Sequence, residues 1–458
     1  MAQYIITLAE TSRSTLTRAL RENKIQILDH GQRRTAEGGY TVAAVVGDEE
    51  LRGLEAAGCK ILKRFDLGGA DKDRWGDVGQ GNRYEGAPIG LRARAPSTTY
   101  LNVDEAESAL SVAADAPFSE FVQLITLPHQ TWEGRICHAV RIGTSEQENR
   151  PGLCLIGGVH ANEWGSSDIL INFIDLLENA YADNTGITIG PRTFSPSDIR
   201  TIVDTLEILV FPQVNPDGRH YCMKHEPQDP RFRKNRRTQA PNSEAEPGVD
   251  INRNFDFLWN FPSHFSPEAR VESSTTPNGR TYIGPAAFSE PESRNVKWIL
   301  DNFHTIQYFV DLHSYGECIL HSWGDDDHQS TRPQMNFLNP QFNHLRGLES
   351  RSYKEFIVAN DLSLARQLAN CVHDAIQDIS ATNYAVQSSF RFAPSSGASD
   401  DYCYSRHIVG NNGNRIISLV IEWGEDQPCP PYSKMKKIIK EVTAGLLALS
   451  LRIATPSG

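Results

Sequence analysis

Two short segments of the chain carry residue types that bind metal ions. In Leu153–Ser166 (LCLIGGVHANEWGS), an apolar run ends at two glycines and is followed by His160 and Glu163. An imidazole and a carboxylate three residues apart on one turn can reach a single ion. Zinc accepts both kinds of ligand, and a catalytic zinc site combines three protein ligands with one water molecule. The pattern therefore predicts a further ligand elsewhere in the chain.

A second histidine ends another strand-like run. His313 lies in YFVDLHSYG (Tyr308–Gly316), directly after a mostly apolar stretch. We predict that His160, Glu163 and His313 together bind one Zn²⁺ per chain. The alternative is that each histidine is an ordinary capping or core residue, because a lone HxxE pattern is short.

Composition narrows the class of protein. The 458 residues are 39% hydrophobic and 22% charged, which is ordinary for a globular protein. The formal net charge of −12 disfavours nucleic acid as a partner, and the single basic run at 231–237 does not outweigh it. No apolar run is long enough for a membrane span, so we expect no membrane partner. The start of the chain, MAQYIITLAETS, has no secretory pattern, so we expect a cytoplasmic location.

The order of strand-like and helix-like segments predicts two folded units. Residues 1–67 follow the order β-α-β-β-α-β, with helices expected at 12–23 and 48–57, which is typical of a small ferredoxin-like α/β domain. Residues 68–97 are rich in Gly, Asp, Arg and Pro and lack periodicity, which indicates a linker. From residue 98 to 458, nearly apolar strands alternate with helices, which predicts an α/β sheet covered on both faces.

Most of the larger unit, residues 98–453, resembles the zinc carboxypeptidases of the A and B type. The resemblance rests on eight blocks in the order of that family: HANEW, VNPDG, FRKNR, GVDINRNF, FSEPES, DLHSYG, SGASDDY and IEWG. It implies a mixed eight-stranded sheet flanked by helices. It also implies zinc-dependent hydrolysis of the C-terminal peptide bond, with the C-termini of peptides or proteins as substrate.

The resemblance assigns roles position by position. Glu422, in IEWG, corresponds to the general acid/base, and Arg233, in FRKNR, to the arginine that stabilises the oxyanion. Three further positions correspond to substrate-binding residues: Asn252 and Arg253 to the pair that binds the terminal carboxylate, and Tyr315 to a tyrosine that lines the cleft.

Asp400 predicts which C-terminal residue is removed. In SGASDDY it falls at the base of the pocket for the departing side chain, where the B type has aspartate and the A type an apolar residue. A buried carboxylate selects a cation, so we predict a preference for lysine or arginine. The acidic run at 325–327 would add to a negative field around the cleft. The alternative is that Asp400 is a solvated loop residue.

Two positions depart from the family pattern. Asn162 stands where the pancreatic enzymes have arginine, which affects distal substrate contacts. The mobile tyrosine of the family falls on Phe392 or Ala393, and neither has a hydroxyl group. Either Tyr402 or Tyr404 replaces it, or the role is absent.

Alternatives to a carboxypeptidase stay open at this stage. One is a family member that acts on an isopeptide, an acyl amino acid or a cell-wall peptide amide; the other is a catalytically inactive peptide-binding module. Asn252 and Arg253 favour a free α-carboxylate next to the cut, and the retained ligands and Glu422 disfavour an inactive protein. Residues 1–97 either cover the cleft, as a pro-segment does, or bind a partner.

Overall fold

The computed structural model of the chain describes most of the sequence. The described residues are 3–10, 25–27, 33–34, 40–66, 75–84, 98–115, 117–144, 150–224, 232–238, 248–348, 353–409 and 414–456.

The described strands form two main sheets and two small pairs. They are β1 (Gln3–Glu10), β2 (Gln26–Ile27), β3 (Arg33–Arg34), β4 (Tyr40–Gly47), β5 (Lys60–Asp66), β6 (Val122–Thr126), β7 (His138–Ile142), β8 (Gly152–Gly157), β9 (Ile187–Ile189), β10 (Arg192–Phe194), β11 (Glu207–Phe211), β12 (Ile306–His313), β13 (Cys318–His321), β14 (Gln329–Ser330), β15 (Glu355–Phe356), β16 (Ala385–Ser388) and β17 (Ile417–Glu422).

The described helices connect and cover these strands. They are α1 (Asp48–Ala56), α2 (Val103–Ala113), α3 (Gly165–Asp183), α4 (Pro196–Thr205), α5 (Pro216–Lys224), α6 (Pro291–Asn302), α7 (Ala359–Ser380), α8 (Ser389–Phe392), α9 (Ser399–Val409) and α10 (Tyr432–Ala454). Among the described residues, no helix is both long enough and apolar enough to cross a membrane.

The larger sheet confirms the predicted mixed eight-stranded architecture. Its order is β16-β13-β17-β12-β8-β11-β7-β6, and the four central strands are parallel while the antiparallel pairs lie toward the edges. Every residue of β8, β11 and β17 is buried, as expected for strands covered on both faces. Helix α3 packs against β8, and α9 packs against β12 and β17.

Register within this sheet places the ends of three strands side by side. Leu312 of β12 is opposite Gly157 of β8, and His313 of β12 is opposite Glu422 of β17. The chain that follows β8 begins the HANEW block, so three of the predicted chemical groups meet at one edge of the sheet. Open α/β sheets place their sites at the carboxyl ends of parallel strands for this reason.

The smaller sheet lies in the N-terminal part of the chain. Its order is β2-β4-β1-β5, with β3 also paired to β4, and each described pair is antiparallel. Alternate residues of β1 and β4 pack with α1 in a separate core, which contains Ile6, Leu8, Val42, Leu51 and Leu54. The helix expected at 12–23 lies outside the described residues. The ferredoxin-like assignment and the domain boundaries therefore stay predictions.

Part of the segment expected to be a linker packs against the larger unit. Within 75–84, Asp77 O accepts from the backbone N–H of Tyr100 at 2.6 Å, and Asp77 Oδ2 accepts from that of Tyr432 at 2.9 Å. The guanidinium of Arg83 pairs with Glu105 at 2.6 Å. Residues 75–84 therefore form part of the larger unit's surface.

Candidate active site

The three predicted metal ligands converge in a buried cluster. After β8 the chain turns at Gly158, whose φ of 67° favours glycine, and then presents His160 and Glu163; His313 is the last residue of β12. Their ligand atoms all lie within 4.8 Å of one another. Glu163 Oε1 is 2.8 Å from Nδ1 of His160, and Glu163 Oε2 is 3.1 Å from Nδ1 of His313. The prediction that these side chains meet is confirmed.

The donor chemistry of this cluster fits Zn²⁺. The Nδ1 atoms of His160 and His313 face each other at 3.0 Å, an arrangement that one cation shared by both lone pairs would stabilise. Their Nε2 atoms face carboxylates instead: His160 Nε2 is 3.3 Å from Asp250 Oδ1, and His313 Nε2 is 2.9 Å from Asp311 Oδ2. Such outer carboxylates orient the imidazole of a metal ligand and fix its tautomer.

Arg233 lies against the same cluster. Its guanidinium is buried, 2.9 Å from Asp250 Oδ2, and one terminal nitrogen is 2.6 Å from His160 Nε2. Burial alone would raise the pKa of Asp250, but the charge of Arg233 and the neighbouring His160 outweigh it and hold that pKa below its ordinary value. Asp250 therefore stays ionised between Arg233 and His160.

One cavity brings most of the predicted site residues together. Its lining residues are His160, Glu163, Arg233, Asn252, Arg253, Leu320, Ser389, Phe392, Ala393, Ser395, Ala398, Asp400, Val420 and Glu422. Glu422 is buried at the end of β17, in register with His313. One cavity thus contains two metal-ligand residues, a carboxylate beside the third ligand, and two arginines.

Asn252 and Arg253 lie in a 3-10 turn capped by Asp250, which accepts from the backbone N–H of Asn252 at 3.0 Å. The side-chain oxygen of Asn252 accepts from the backbone N–H of Ser399 at 2.8 Å. Arg253 donates from Nε to the backbone oxygen of Glu272 and from one terminal nitrogen to Asn252 O. These bonds hold the guanidinium in place at the cavity wall.

Asp400 closes one side of the cavity. It lies in the first turn of α9, is 2% exposed, and its Oδ2 accepts a hydrogen bond from Ser389 Oγ at 2.7 Å. Burial raises the pKa of this carboxyl group. Gly397, two residues before α9, has a φ of 65° and lies so close to Arg253 that a Cβ atom would be 2.4 Å from Arg253 O. Asp400 is therefore a buried wall residue.

Comparison with known proteins identifies the family. A model of the zinc carboxypeptidase family matches residues 109–445 of the chain. The chain belongs to this family. Carboxypeptidase B of Helicoverpa zea is 33% identical over 202 residues, 43% of this chain and 40% of that protein. Carboxypeptidase B of Astacus astacus is 28% identical over 229 residues, 50% of this chain and 65% of that protein. The chain therefore matches less than two thirds of either relative.

Two solved structures share the fold of the chain. The crystal structure of thrombin activatable fibrinolysis inhibitor has a TM-score of 0.69 at 19% identity, with 100% of each chain covered. The carboxypeptidase A of Helicoverpa armigera has a TM-score of 0.67 at 18% identity and covers 98% of this chain and 97% of its own. At these identities the likeness concerns the fold.

Four residues that the family resemblance singled out do not line the active cavity. Tyr315 is buried two residues after His313, and Asn162 is buried between the first two ligands, but neither is a lining residue. Tyr402 and Tyr404, the possible replacements for the mobile tyrosine, lie outside it as well. Phe392 and Ala393 do line it and pack with Leu320 and Val420 in one apolar cluster.

The acidic run at 325–327 lies outside the lining of the active cavity. Asp325 and Asp326 are fully buried, and Arg346 Nε lies 3.6 Å from Asp325 Oδ2. Burial raises the pKa of Asp326 to about 9. These two side chains are therefore buried groups rather than a solvated acidic surface, and the negative field around the cleft stays a prediction.

Some site residues were missed by sequence reasoning. Three residues that contact predicted site residues were not predicted. They are Asp250 beside His160, Asp311 beside His313 and Ser389 beside Asp400. The sequence does contain a signal for Asp311. It precedes His313 by two residues in the same strand, and residues two apart on a strand share a face. The sequence contains no such signal for Ser389, because its contact with Asp400 depends on how two short helices pack.

Proposed function

We propose that this protein is a zinc-dependent carboxypeptidase that hydrolyses the C-terminal peptide bond of peptides or proteins and prefers C-terminal lysine or arginine. The observation that carries the proposal is the cavity shared by two of the metal-ligand residues, His160 and Glu163, with Glu422, Arg253 and Asp400. Each group is one that this reaction needs, and their separate elements meet only there.

The terminal carboxylate of the substrate would be bound by Asn252 and Arg253. A guanidinium presents two parallel N–H groups that match a carboxylate, and Arg253 is fixed by its bonds to backbone oxygens. This contact supports removal of the last residue rather than internal cleavage, because only a chain end supplies the anion.

The chain's own residues would then move the proton and stabilise charge. His160, Glu163 and His313 would hold the Zn²⁺, which supplies an acidified water and polarises the scissile carbonyl group when bound. Glu422, beside His313 in the sheet, would accept the proton of the water and pass it to the leaving amine. The guanidinium of Arg233 would donate to the carbonyl oxygen as it gains negative charge.

Asp400 would select the departing side chain. Leu320 and Val420, neighbours across β13 and β17, form an apolar surface with Phe392 along the cavity. The methylene stem of lysine or arginine would pack there while its cation reaches Asp400. A leucine or phenylalanine side chain would leave that carboxyl group buried without a cation, which supports the basic preference.

The test is release of single amino acids from matched peptides that differ only in the last residue, with and without a chelator. We expect release of lysine and arginine ahead of leucine and phenylalanine, and loss of all release with chelator. Peptides with an amidated C-terminus are the control, because they lack the anion that Arg253 would bind. Cleavage of free and amidated peptides at equal rates would favour the isopeptide or amide alternative instead.

We also propose that the N-terminal unit covers this cavity. The support is that the backbone of β3 (Arg33–Arg34) lies within 8 Å of α8, which forms part of the cavity wall. A chain that begins at Trp75 keeps the packed segment 75–84, and we expect it to cleave small substrates faster than the full chain. Equal kinetics for both chains would favour a partner-binding role for the N-terminal unit.

A further inference from the structure

A second cavity, distinct from the active cavity, lies at the edge of the larger sheet. It has a volume of about 480 Å³ and is bounded by α7, the edge strand β16, the loop after β13 and the start of α8. Cavities of this size accommodate small molecules. None of the residues assigned to the proposed carboxypeptidase reaction lines it.

Positive charge dominates the lining of this second cavity. Arg366 of α7 and Arg391 of α8 approach it from different elements, and Asp327 is its single acidic lining residue. Arg391 Nε lies 2.7 Å from Asp327 Oδ1, so that carboxylate is already paired. Within the described ranges, Arg366 has no ion-pair partner. The cavity therefore offers one full, uncompensated guanidinium charge and part of a second.

A buried hydroxyl group also lines the second cavity. Ser388, the last residue of β16, is 7% exposed, and its Oγ has no hydrogen-bond partner in the part of the chain that the structure describes. An unsatisfied buried hydroxyl costs free energy unless a ligand or water binds it. The oxygen itself is also buried, so a polar ligand atom would bind it after the serine side chain rotates toward the cavity.

His321 also lines this cavity. Burial lowers the pKa of His321, and the charges of Arg366 and Arg391 lower it further. Both guanidinium charges thus act on the same region. A cationic ligand would be repelled there, and an anion would be stabilised.

We propose that this second cavity binds a small oxyanion, the phosphate or carboxylate group of a small molecule, through Arg366, Arg391 and the hydroxyl of Ser388. The two guanidinium groups supply charge-assisted donors in a planar geometry that matches either oxyanion. The hydroxyl group supplies a third donor from the sheet edge. Binding here requires neither metal nor turnover, so it is independent of the proposed peptidase reaction.

The test is calorimetric titration of the full chain with inorganic phosphate and, separately, with citrate, which distinguishes a phosphate from a carboxylate ligand. The active cavity also contains arginines, so each titration is repeated in Arg253→Gln. We expect one binding event that persists in Arg253→Gln and weakens by roughly tenfold or more in Arg366→Gln, as the loss of a charge-assisted contact implies. Ser388→Ala should weaken it by a few-fold.

Arg200→Gln is the matched control, since it removes the same charge from an exposed position on α4. It should leave binding unchanged, and equal melting temperatures would show that each variant folds. Binding that is lost in Arg253→Gln and unaltered in Arg366→Gln would overturn the proposal, because the anion would then occupy the active cavity alone. Absence of any binding event for both anions at millimolar concentration would overturn it too.

Discussion

The active cavity has two walls that are built in different ways. The metal wall contains His160, Glu163 and Glu422, with His313 adjoining Glu422 in the sheet. These residues come from the carboxyl ends of β12 and β17 or the turn directly after β8. The pocket wall, Ser389, Phe392, Ala393 and Asp400, comes from the short helix α8, the residue after it and the first turn of α9. Register in a buried sheet fixes the first wall, whereas the packing of connections fixes the second.

One carboxylate joins these walls. Asp311, in β12, lies 2.9 Å from His313 Nε2 and also accepts a hydrogen bond from Ser399 Oγ at 2.6 Å, at the start of α9. Asp311 therefore ties the helix that carries Asp400 to the metal wall. The difference between the walls suggests that substitutions in the metal wall affect rate and those in the pocket wall affect choice of substrate.

Removing a metal ligand should have the largest effect. His313→Ala removes one of three ligands, so we expect loss of the bound Zn²⁺ and of essentially all peptide hydrolysis. Elemental analysis of purified protein and a residue-release assay measure the two effects. His304→Ala, at an exposed position, is the control and should keep both. Full zinc content in His313→Ala would remove His313 from the site.

Removing the proposed proton carrier should have the next largest effect. Glu422→Gln keeps the shape of the side chain and its place beside His313, so zinc content and KM should change little. We expect kcat to fall by about 10²–10⁴-fold, the usual contribution of general acid–base catalysis. A variant that keeps most of its kcat would mean that another group transfers the proton.

The two walls also differ in how far the sequence predicts them. His160, Glu163, His313 and Glu422 each follow an apolar run, and parallel strands bring such ends together, so residue pattern and family resemblance agreed. The eight-stranded sheet was predictable for the same reason. The burial of Asp325 and Asp326 beside Arg346 was not predictable, because a run of three aspartates in a sequence indicates a solvated surface.

The burial of Asp400 in the pocket wall could not be predicted from the sequence either. The family motif placed Asp400, but the loop pattern of SGASDDY was equally compatible with a solvated turn. Its burial depends on the approach of Gly397 to Arg253 and on the bond from Ser389, which are contacts between segments distant in sequence. Periodicity carries no information about such contacts.

Asp311→Asn should have an intermediate effect, because Asp311 orients a ligand without binding the metal. Loss of an outer-shell carboxylate typically lowers metal affinity by about 10–100-fold. We expect that loss in a competition titration with a chelator, with activity restored by excess Zn²⁺. Activity that zinc cannot restore would instead indicate that Asp311 mainly holds the start of α9 through Ser399.

Asp400→Asn should alter the choice of substrate with little effect on turnover. The amide keeps the shape of the side chain and can still accept from Ser389, but it removes the charge that would pair with lysine or arginine. We expect the ratio of kcat/KM for a C-terminal lysine over leucine to fall by roughly tenfold or more, the value of a charge-assisted contact. An unaltered ratio would remove Asp400 from the specificity pocket.

The smallest predicted effect is a pH dependence of that same ratio. Burial raises the pKa of Asp400, and the charge of the neighbouring Asp311 raises it further; the adjacent Asp401 is also buried with a raised pKa. Below this raised pKa the carboxyl group is neutral and cannot pair with a substrate cation; above it the group is ionised and can. The preference for lysine over leucine should therefore increase as the pH rises through the pKa of Asp400.

The ratio of kcat/KM for the two substrates is unaffected by groups that act equally on both. Titration of Glu422 or of the metal wall therefore does not change this ratio. In Asp400→Asn the ratio should be independent of pH, because the group that titrates is gone. A ratio that stays flat in the unaltered protein, together with a strong preference for lysine, would mean that Asp400 is already ionised across the range. Contacts within the protein would then stabilise the ionised form of Asp400 before the substrate binds. The pocket wall would in that case be as preorganised as the metal wall.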